Sequence, residues 1–304
     1  MIYMATCVFL GSKQLGLSCA LAIEKIIGER LSAVITFDDS NDSRSRLREF
    51  VSSFSKVPVH VLTKNVELES LLASLQPDLV FVSGWYWIIS ERVLALPAMG
   101  FYGIHPSLLP KYRGFAPLVW GMINGEKTLG FSLFKFTVGV DEGPIYAQRS
   151  FVVDDTDYIG DVLEKLERES ILCLEECFCP LLQGTLNPQI QNHELATFAA
   201  QRLPKDGKIH WGNSQHDIYN FIRAQSRPYP GAYTLYEAEQ ITVWRASKFI
   251  ATYYGTPGQL AGFDGERAII ICGDNKALLL EEIVINGATI QQRALFRTLQ
   301  CRLG

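Results

Sequence analysis

The chain has 304 residues, 48% of them hydrophobic, which is enough for more than one packed core and excludes a disordered or collagen-like protein. Lysine and arginine number 28 against 32 aspartate and glutamate residues, so the net charge is −4 and a strongly basic surface for nucleic acid is absent. No apolar run reaches the length of a membrane span, and the N-terminal residues lack the basic start of a secretory signal. We therefore expect a cytoplasmic protein that binds neither membrane nor nucleic acid and has small-molecule partners.

The first half alternates short apolar runs with helical patterns, which is typical of βαβ units and predicts an α/β, Rossmann-like parallel sheet with ligands at the carboxyl ends of strands. Gly11 and Gly16 lie in the first strand-to-helix turn, but the GxGxxG spacing is missing, which argues against nicotinamide. The runs are TCVFL, LGLSCALAIEKII, SAVITF, SRLREFVSSF, VPVHVLT, LESLLASL and DLVFVSGW.

The second half changes character after Gly100. A proline-rich loop, HPSLLPKYRGFAP, precedes two strand-like runs and a long helical pattern from about Asp157 to Leu182. Residues 183–201 are polar and without a sustained period, and residues 203–304 show short strands between glycine-rich turns, as in a small antiparallel barrel. We predict a catalytic domain over 1–190, a linker over 191–202 and a C-terminal β-barrel, OB-like domain over 203–304.

Seven cysteines, an odd number in a chain of this size, indicate reduced thiols. Cys173 and Cys177 share one face of an amphipathic pattern that also holds Cys179, and no histidine or second CxxC lies nearby. We interpret this group as helix packing and expect no metal.

His105 is the histidine best placed for chemistry, because it lies between the end of an apolar strand and a loop containing two prolines. On position alone, a structural histidine is the alternative. Asp141 follows 36 residues later in the glycine-flanked turn VGVDEGPI, where a carboxylate that caps a backbone N–H is the alternative.

Five motifs occur in order and with matching spacing: GIHPSLLPKYRGFAP, NGE followed by LGFSLFKF, VDEGPI, RLPKDGKIHW and IRAQSRPYPGAYT. Together they make the chain resemble the formyltetrahydrofolate-dependent formyltransferases, which include methionyl-tRNA formyltransferase and the nucleotide-sugar N-formyltransferases. The resemblance implies an enzyme that moves a formyl group from N10-formyltetrahydrofolate to a primary amine, with no metal. It also implies that the C-terminal barrel is related to oligonucleotide-binding folds.

The resemblance further implies which residues line the folate and formyl site. The segment aligned to the pterin edge follows the strand DLVFV, although aromatic strand ends are ordinarily core. The expected site residues are Trp87, Ile88 and Ile89, Ser107, Leu108 and Leu109 of the HPSLLP loop, and Thr137, Val138, Gly139 and Val140 leading to Asp141.

Formyl transfer requires an amine to attack a formamide carbon while a proton leaves the nitrogen and charge develops on the oxygen. His105 suits the proton acceptor because the ordinary pKa of an imidazole lies near neutral pH. Asp141 suits the group that orients the ring and stabilises its cationic form.

One departure from the family pattern concerns the formyl oxygen. The family has Asn-x-His, whose Asn amide helps to hold that oxygen, whereas this chain has Gly103 two residues before His105. In an extended segment both point to the same side and Tyr102 points away. Three explanations are open for the missing Asn amide: a water in the volume left by Gly103, another side chain, or loss of catalysis in a protein that only binds. We expect a working enzyme.

The acceptor is predicted from charge. Residues 203–304 hold eleven lysines and arginines against nine acidic residues, and FDDSNDSRSRLREF after the second strand starts acidic, which is little for gripping tRNA. We therefore expect a nucleotide-linked amino sugar, a substrate of cell-surface polysaccharide biosynthesis, with methionyl-tRNA formyltransferase or a non-catalytic binder as alternatives. Ser12, Lys13 and Tyr229 are the candidate acceptor-binding residues; Lys13 as a surface lysine and Tyr229 as a packing residue are equally good interpretations. The C-terminal domain either closes the groove or pairs subunits in a homodimer.

Overall fold

The computed structural model describes residues 5–237 and 239–304. The chain folds into two compact units that interleave along the sequence. The first unit consists of residues up to 114 together with 128–152 and 164–199; the second consists of 115–127, 153–163 and 200–304. Within the described ranges, no helix is both long and apolar enough to cross a membrane.

The first unit is built on a seven-stranded sheet in the order β3-β2-β1-β4-β5-β7-β8. Its strands are β1 (Cys7–Gly11), β2 (Leu31–Phe37), β3 (Val59–Leu62), β4 (Leu79–Ser83), β5 (Gly100–His105), β7 (Thr128–Lys135) and β8 (Ile145–Val152). A two-stranded parallel pair, β6 (Arg113–Gly114) with β9 (Phe198–Ala199), lies apart from this sheet.

The first five strands of the sheet are parallel, and the last two are antiparallel. The predicted Rossmann-like α/β class is confirmed, with a mixed sheet instead of a wholly parallel one. The antiparallel pairing of β7 with β8 has a simple cause: the two strands are joined by a loop of nine residues, 136–144, which allows a hairpin but is too short for the helical crossover that parallel neighbours need.

Helices cover the sheet because their apolar positions recur on one face. In α1, six buried positions recur at helical spacing against the sheet: Gly16, Leu17, Cys19, Ala20, Ile23 and Ile27. The helices of the first unit are α1 (Lys13–Ile27), α2 (Leu47–Ser53), α3 (Glu67–Leu75) and α4 (Glu91–Leu94). The short α5 (Pro117–Ile123) is part of the second unit. The long α6 (Ile159–Leu182) belongs to the first unit from Glu164 onward.

The second unit contains an antiparallel sheet in the order β10-β11-β14-β13-β12, with the short β15 paired to β14. Its elements are α7 (Gln215–Gln225), β10 (Ala232–Tyr236), β11 (Glu239–Phe249), β12 (Leu260–Asp264), β13 (Arg267–Ile271), β14 (Ala277–Ile285), β15 (Ala288–Thr289) and α8 (Gln292–Leu295). These elements agree with the short strands predicted for residues 203–304, so the antiparallel C-terminal domain is confirmed.

The C-terminal residues connect the two outer strands of this sheet. Gly304 exchanges two backbone hydrogen bonds of 3.0 Å with Leu235 of β10, and the Leu260 amide of β12 donates to the Cys301 carbonyl at 3.2 Å. The sheet therefore curls around one apolar core that includes Trp211, which is 4% exposed. The assignment as OB-like stays a prediction.

The two compact units do not coincide with the predicted domains, 1–190 and 203–304, and linker, 191–202. Those boundaries stay a prediction. Residues 189–199, most of them within the predicted linker, pack into the first unit: Gln189 bridges Ile145, and Phe198 pairs with Arg113. Cys173 is buried in α6, and its burial raises the pKa of the thiol to about 12. Among the described residues no group of three or more histidine, cysteine or acidic side chains is arranged to hold a metal ion.

Candidate active site

His105 is the last residue of β5 and lies where the strand gives way to the HPSLLP loop. Its side chain is 7% exposed, and the ring packs edge-on against Phe134 of β7, with centroids 6.2 Å apart. The ring nitrogen Nδ1 is 3.4 Å from Oδ2 of Asp141. The structure thus brings together the two residues that sequence reasoning paired.

The other ring nitrogen, Nε2, is 2.9 Å from the backbone carbonyl of Tyr112. A carbonyl oxygen can only accept, so Nε2 carries the proton in this contact, and the neutral ring has its lone pair on Nδ1, next to Asp141. The Tyr112 carbonyl therefore fixes the tautomer. Sequence reasoning missed this partner because every residue has a carbonyl, and only the path of the loop decides which one meets the ring.

Asp141 lies in the loop between β7 and β8 with φ +50°, in the left-handed region that is unfavourable for a residue with a side chain. Its Oδ2 accepts a hydrogen bond of 2.8 Å from the backbone N–H of Gly114. The same oxygen faces His105, so one carboxylate oxygen connects the loops that follow β5 and β7.

A buried polar network supports this loop. Gln191 is 4% exposed and donates from Nε2 to the carbonyls of Asp141 and Gly143, at 2.9 and 2.6 Å. Its Oε1 accepts two hydrogen bonds from the guanidinium of Arg113, which is 3% exposed and also lies 3.3 Å from Nδ1 of His193. Sequence reasoning placed Gln191 in a linker. It could not identify this residue, because Gln191 comes close to the VDEGPI motif only in the folded chain.

The space beside Gly103 is filled. A Cβ atom at this position would lie 2.4 Å from the Val82 carbonyl oxygen and 2.8 Å from Cε2 of Phe136. Phe136 in turn stacks on Phe134 with centroids 4.8 Å apart. Of the three explanations offered for Gly103, a water in that volume has the least room, because the Val82 backbone and the Phe136 ring lie where a side chain would start.

The HPSLLP loop is held by hydrogen bonds from its own residues. The Ser107 hydroxyl donates to the Lys111 carbonyl at 2.6 Å, and the Leu109 amide donates to the Ser132 hydroxyl at 3.0 Å. Leu109 is buried, whereas Leu108 is half-buried and faces Gly130 of β7. The peptide between Leu109 and Pro110 is cis. These hydrogen bonds hold the loop in place next to His105.

The other predicted folate-site residues lie in the loops after β4 and β7. Trp87 stacks on Phe37 with centroids 4.9 Å apart, and Ile89 packs against the same core, so both are partly structural. Ile88 is 85% exposed, and its carbonyl accepts from the Asn65 side chain at 2.9 Å. In the second loop Thr137, Val138 and Val140 are exposed, while Gly139 lies against the carboxylate of Glu142.

The predicted acceptor-binding residues already have partners. Ser12 is buried, and its hydroxyl donates to the Gly84 carbonyl at 2.6 Å. The Lys13 ammonium is 2.5 Å from Asp39 and 2.8 Å from Asp42. Tyr229 belongs to the second unit, in the turn between α7 and β10, where it is half-buried.

Because two carboxylates contact Lys13, we expect the stability of the protein to depend on pH. Burial acts to raise the pKa of Asp42, but hydrogen bonds from Arg44 and Lys13 outweigh it and hold that pKa well below the ordinary value. A lowered folded-state pKa gives stability that is fully present above the ordinary pKa, about 3.9, and is lost as the pH falls through the folded-state pKa. We expect Asp42→Asn to destabilise the protein at neutral pH and to differ less from wild type below about pH 3. Urea unfolding of both proteins across pH measures this; a difference that grows in acid would contradict it.

In this α/β unit a buried imidazole and a carboxylate meet beside the HPSLLP loop, an arrangement that is able to accept a proton and stabilise the resulting cation. The family models described as formyl transferase and as formyl transferase, C-terminal domain, match residues 22–175 and 203–300. The chain therefore belongs to the formyl transferase family, and the prediction of a formyltransferase is confirmed.

Two curated relatives show the range of the family. The bifunctional polymyxin resistance protein ArnA of Wigglesworthia glossinidia brevipalpis is 34% identical over 255 residues, which are 82% of this chain but 38% of that protein, so this chain spans well under half of its length. Methionyl-tRNA formyltransferase of Legionella pneumophila (strain Corby) is 31% identical over 295 residues, 94% of this chain and 92% of that protein.

A solved structure with the same fold is the N-formyltransferase from Helicobacter canadensis in complex with folinic acid and dTDP-3-aminofucose. It superposes with a TM-score of 0.71, covering 91% of this chain and 99% of that one at 17% identity.

Proposed function

We propose that this protein transfers a formyl group from N10-formyltetrahydrofolate to the primary amine of a nucleotide-linked amino sugar. The observation that supports the proposal most directly is the contact of 3.4 Å between Nδ1 of His105 and Oδ2 of Asp141, with Nε2 held by the Tyr112 carbonyl. This arrangement presents one basic nitrogen next to one carboxylate, as proton removal from an attacking amine requires.

The proton has a defined destination in this geometry. The acceptor amine loses it to Nδ1 of His105, and the resulting imidazolium donates to the Tyr112 carbonyl and to Asp141 at once. Asp141 keeps its place because the Gly114 amide donates to the same oxygen. The low exposure of both side chains, 7% and 19%, strengthens the attraction between ring and carboxylate.

The first unit has features that fit a folate. Ile88, Val138 and Val140 expose large apolar side chains on the loops after β4 and β7. The buried indole N–H of Trp85 has no hydrogen-bond partner among the described residues. A pteridine offers flat apolar faces and a polar edge, so the exposed residues and the HPSLLP loop would hold it, and when bound the folate supplies the formyl group.

The choice of acceptor rests on charge and on the relatives. The net charge of −4 disfavours a polyanion with many phosphates, whereas a nucleotide sugar carries only two. The Helicobacter enzyme was solved with a dTDP-linked amino sugar. The two carboxylates Asp39 and Asp42 already contact the Lys13 ammonium, which leaves one of its three N–H donors for such a diphosphate, and Ser12 would donate to it only by leaving Gly84.

The direct test offers N10-formyltetrahydrofolate together with a panel of amino-sugar nucleotides and measures each product by mass spectrometry. We expect one sugar nucleotide to gain the mass of a formyl group, and His105→Ala to abolish the gain. No product with any sugar nucleotide, together with formylation of methionyl-tRNA, would assign the activity to the second candidate, which the Legionella relative favours through its coverage of 92%.

The charge also predicts how the protein responds to tRNA. Because nonspecific binding to nucleic acid comes from counterion release, we expect affinity for methionyl-tRNA to be weak and to fall steeply with salt. Fluorescence anisotropy with labelled tRNA from low to physiological salt measures this. Tight binding that persists at physiological salt would contradict the sugar assignment.

A further inference from the structure

We propose that Gln191 is a positioning residue for formyl transfer: its side-chain amide, held by Arg113, fixes the Asp141 loop so that the carboxylate meets His105. The proposal rests on the proposed function, but it concerns a residue outside the stretches that match the two family models, 22–175 and 203–300.

The Asp141 loop needs external support. Asp141 adopts φ +50°, a conformation unfavourable for a side-chain-bearing residue, and no strand or helix covers residues 136–144. Contacts to the loop backbone therefore help to hold this less common conformation. A change in it would move the Asp141 carboxylate relative to His105.

Gln191 supplies two contacts on either side of this strained position. Its Nε2 donates to the Asp141 carbonyl at 2.9 Å and to the Gly143 carbonyl at 2.6 Å. Both protons of one amide nitrogen are therefore used on the same loop. With the side chain 4% exposed, water cannot easily replace either hydrogen bond.

Arg113 orients that amide. Its Nε and Nη2 donate to Oε1 of Gln191 at 3.1 and 2.7 Å, so the glutamine oxygen must face the guanidinium and the nitrogen must face the loop. Arg113 adjoins Gly114, whose amide donates to Oδ2 of Asp141. Arg113, Gly114, Asp141 and Gln191 thus form a closed ring of covalent and hydrogen bonds around the carboxylate.

Substitutions can separate the role of the Gln191 amide oxygen, which accepts from Arg113, from that of the amide nitrogen, which donates to the loop. Gln191→Glu keeps an oxygen for Arg113 but offers no proton to the two carbonyls. Gln191→Leu removes both halves at similar size. If donation to the loop is what matters, both variants should fail alike.

The experiment measures kcat and KM for formyl transfer, together with hydrogen exchange of the Gly114 amide in the absence of substrate. We expect both Gln191 variants to lower kcat by about 10–100-fold, the usual effect of removing a side chain that orients a reacting group, with KM for the formyl donor unchanged. We also expect exchange at Gly114 to accelerate, because its acceptor on Asp141 moves.

The matched control is Gln292, which is 6% exposed, donates to the Leu280 carbonyl at 2.8 Å and accepts from the Ala268 amide at 2.8 Å. Gln292→Glu and Gln292→Leu should lower the melting temperature and leave kcat and Gly114 exchange unchanged. A Gln191→Glu protein with wild-type kcat and wild-type Gly114 exchange would overturn the proposal, as would a Gln191→Leu protein that only melts earlier. The exchange readout needs no substrate, so a wild-type protein without transferase activity refutes the proposed function alone.

Discussion

Replacing His105 or Asp141 by alanine should each lower kcat for formyl transfer by about 10²–10⁴-fold, the range typical of general base catalysis. The double variant should be no slower than the worse single variant, because removing either the ring or its carboxylate impairs the same proton transfer. The contact of 3.4 Å between Nδ1 and Oδ2 is the structural reason. Single-turnover kinetics with the four proteins measure the coupling.

Asp141→Asn sharpens this experiment. The position of Oδ2 faces both the Gly114 amide and Nδ1 of His105, so asparagine can place only one of its two groups there. Its oxygen would keep the Gly114 hydrogen bond but bring no charge to the imidazolium, and its NH₂ group would occupy the lone pair on Nδ1 and lose the Gly114 hydrogen bond. We expect this variant to be as slow as Asp141→Ala. His210→Ala and Asp264→Ala, at positions outside the site, should keep full activity. A double variant whose loss equals the product of the two single losses would refute the pair.

Gly103→Asn should destabilise the protein and should not raise activity. The clash begins at Cβ, 2.4 Å from the backbone oxygen of Val82, and a backbone carbonyl in a central strand cannot move aside as a flexible side chain can. Overpacking of this kind costs about 1–3 kcal/mol of unfolding free energy. Urea denaturation and the formyl transfer rate together give the answer.

Gly103→Ala separates steric from chemical effects, since alanine brings the Cβ without the amide and should destabilise almost as much. Gly212→Asn is the matched control, because a Cβ at that position meets nothing within 4 Å. A rise in transfer of about 10²-fold in Gly103→Asn, the size of one oxyanion contact, would show that the site tolerates the family's asparagine and that its loss had disabled the enzyme.

The sequence was sufficient for features that depend on periodicity and on motif position. Alternating apolar runs predicted the strands of both units, and the pairing of His105 with Asp141 followed from two motifs 36 residues apart. What it could not provide were contacts decided by the path of the backbone. The Tyr112 carbonyl carries no sequence signal, and the polarity of residues 189–199 hid their packing against the Asp141 loop.

Gly103 shows a further limit of sequence reasoning. A missing side chain suggests a vacancy, but strand β5 leaves none, because the Phe136 ring already covers that position. The relevant residue is 33 positions away in the chain, and nothing in the spacing indicates that the two meet. Similarly, Lys13 is a plausible phosphate ligand in sequence, yet the acidic segment after β2 folds back and pairs with it.

The ring around Asp141 also bears on when the protein becomes competent during synthesis. Its hydrogen bonds join residues 50 and 78 positions apart, Asp141 and Arg113 each with Gln191, so they close late and at an appreciable cost in chain entropy. A nascent chain that has emerged only as far as α6 already contains His105, Asp141 and the Gly114 amide, but it lacks the Gln191 amide that contacts the Asp141 loop. The pair that we propose for catalysis therefore gains its full support only from a segment made some fifty residues later, which would link activity to completion of the first unit.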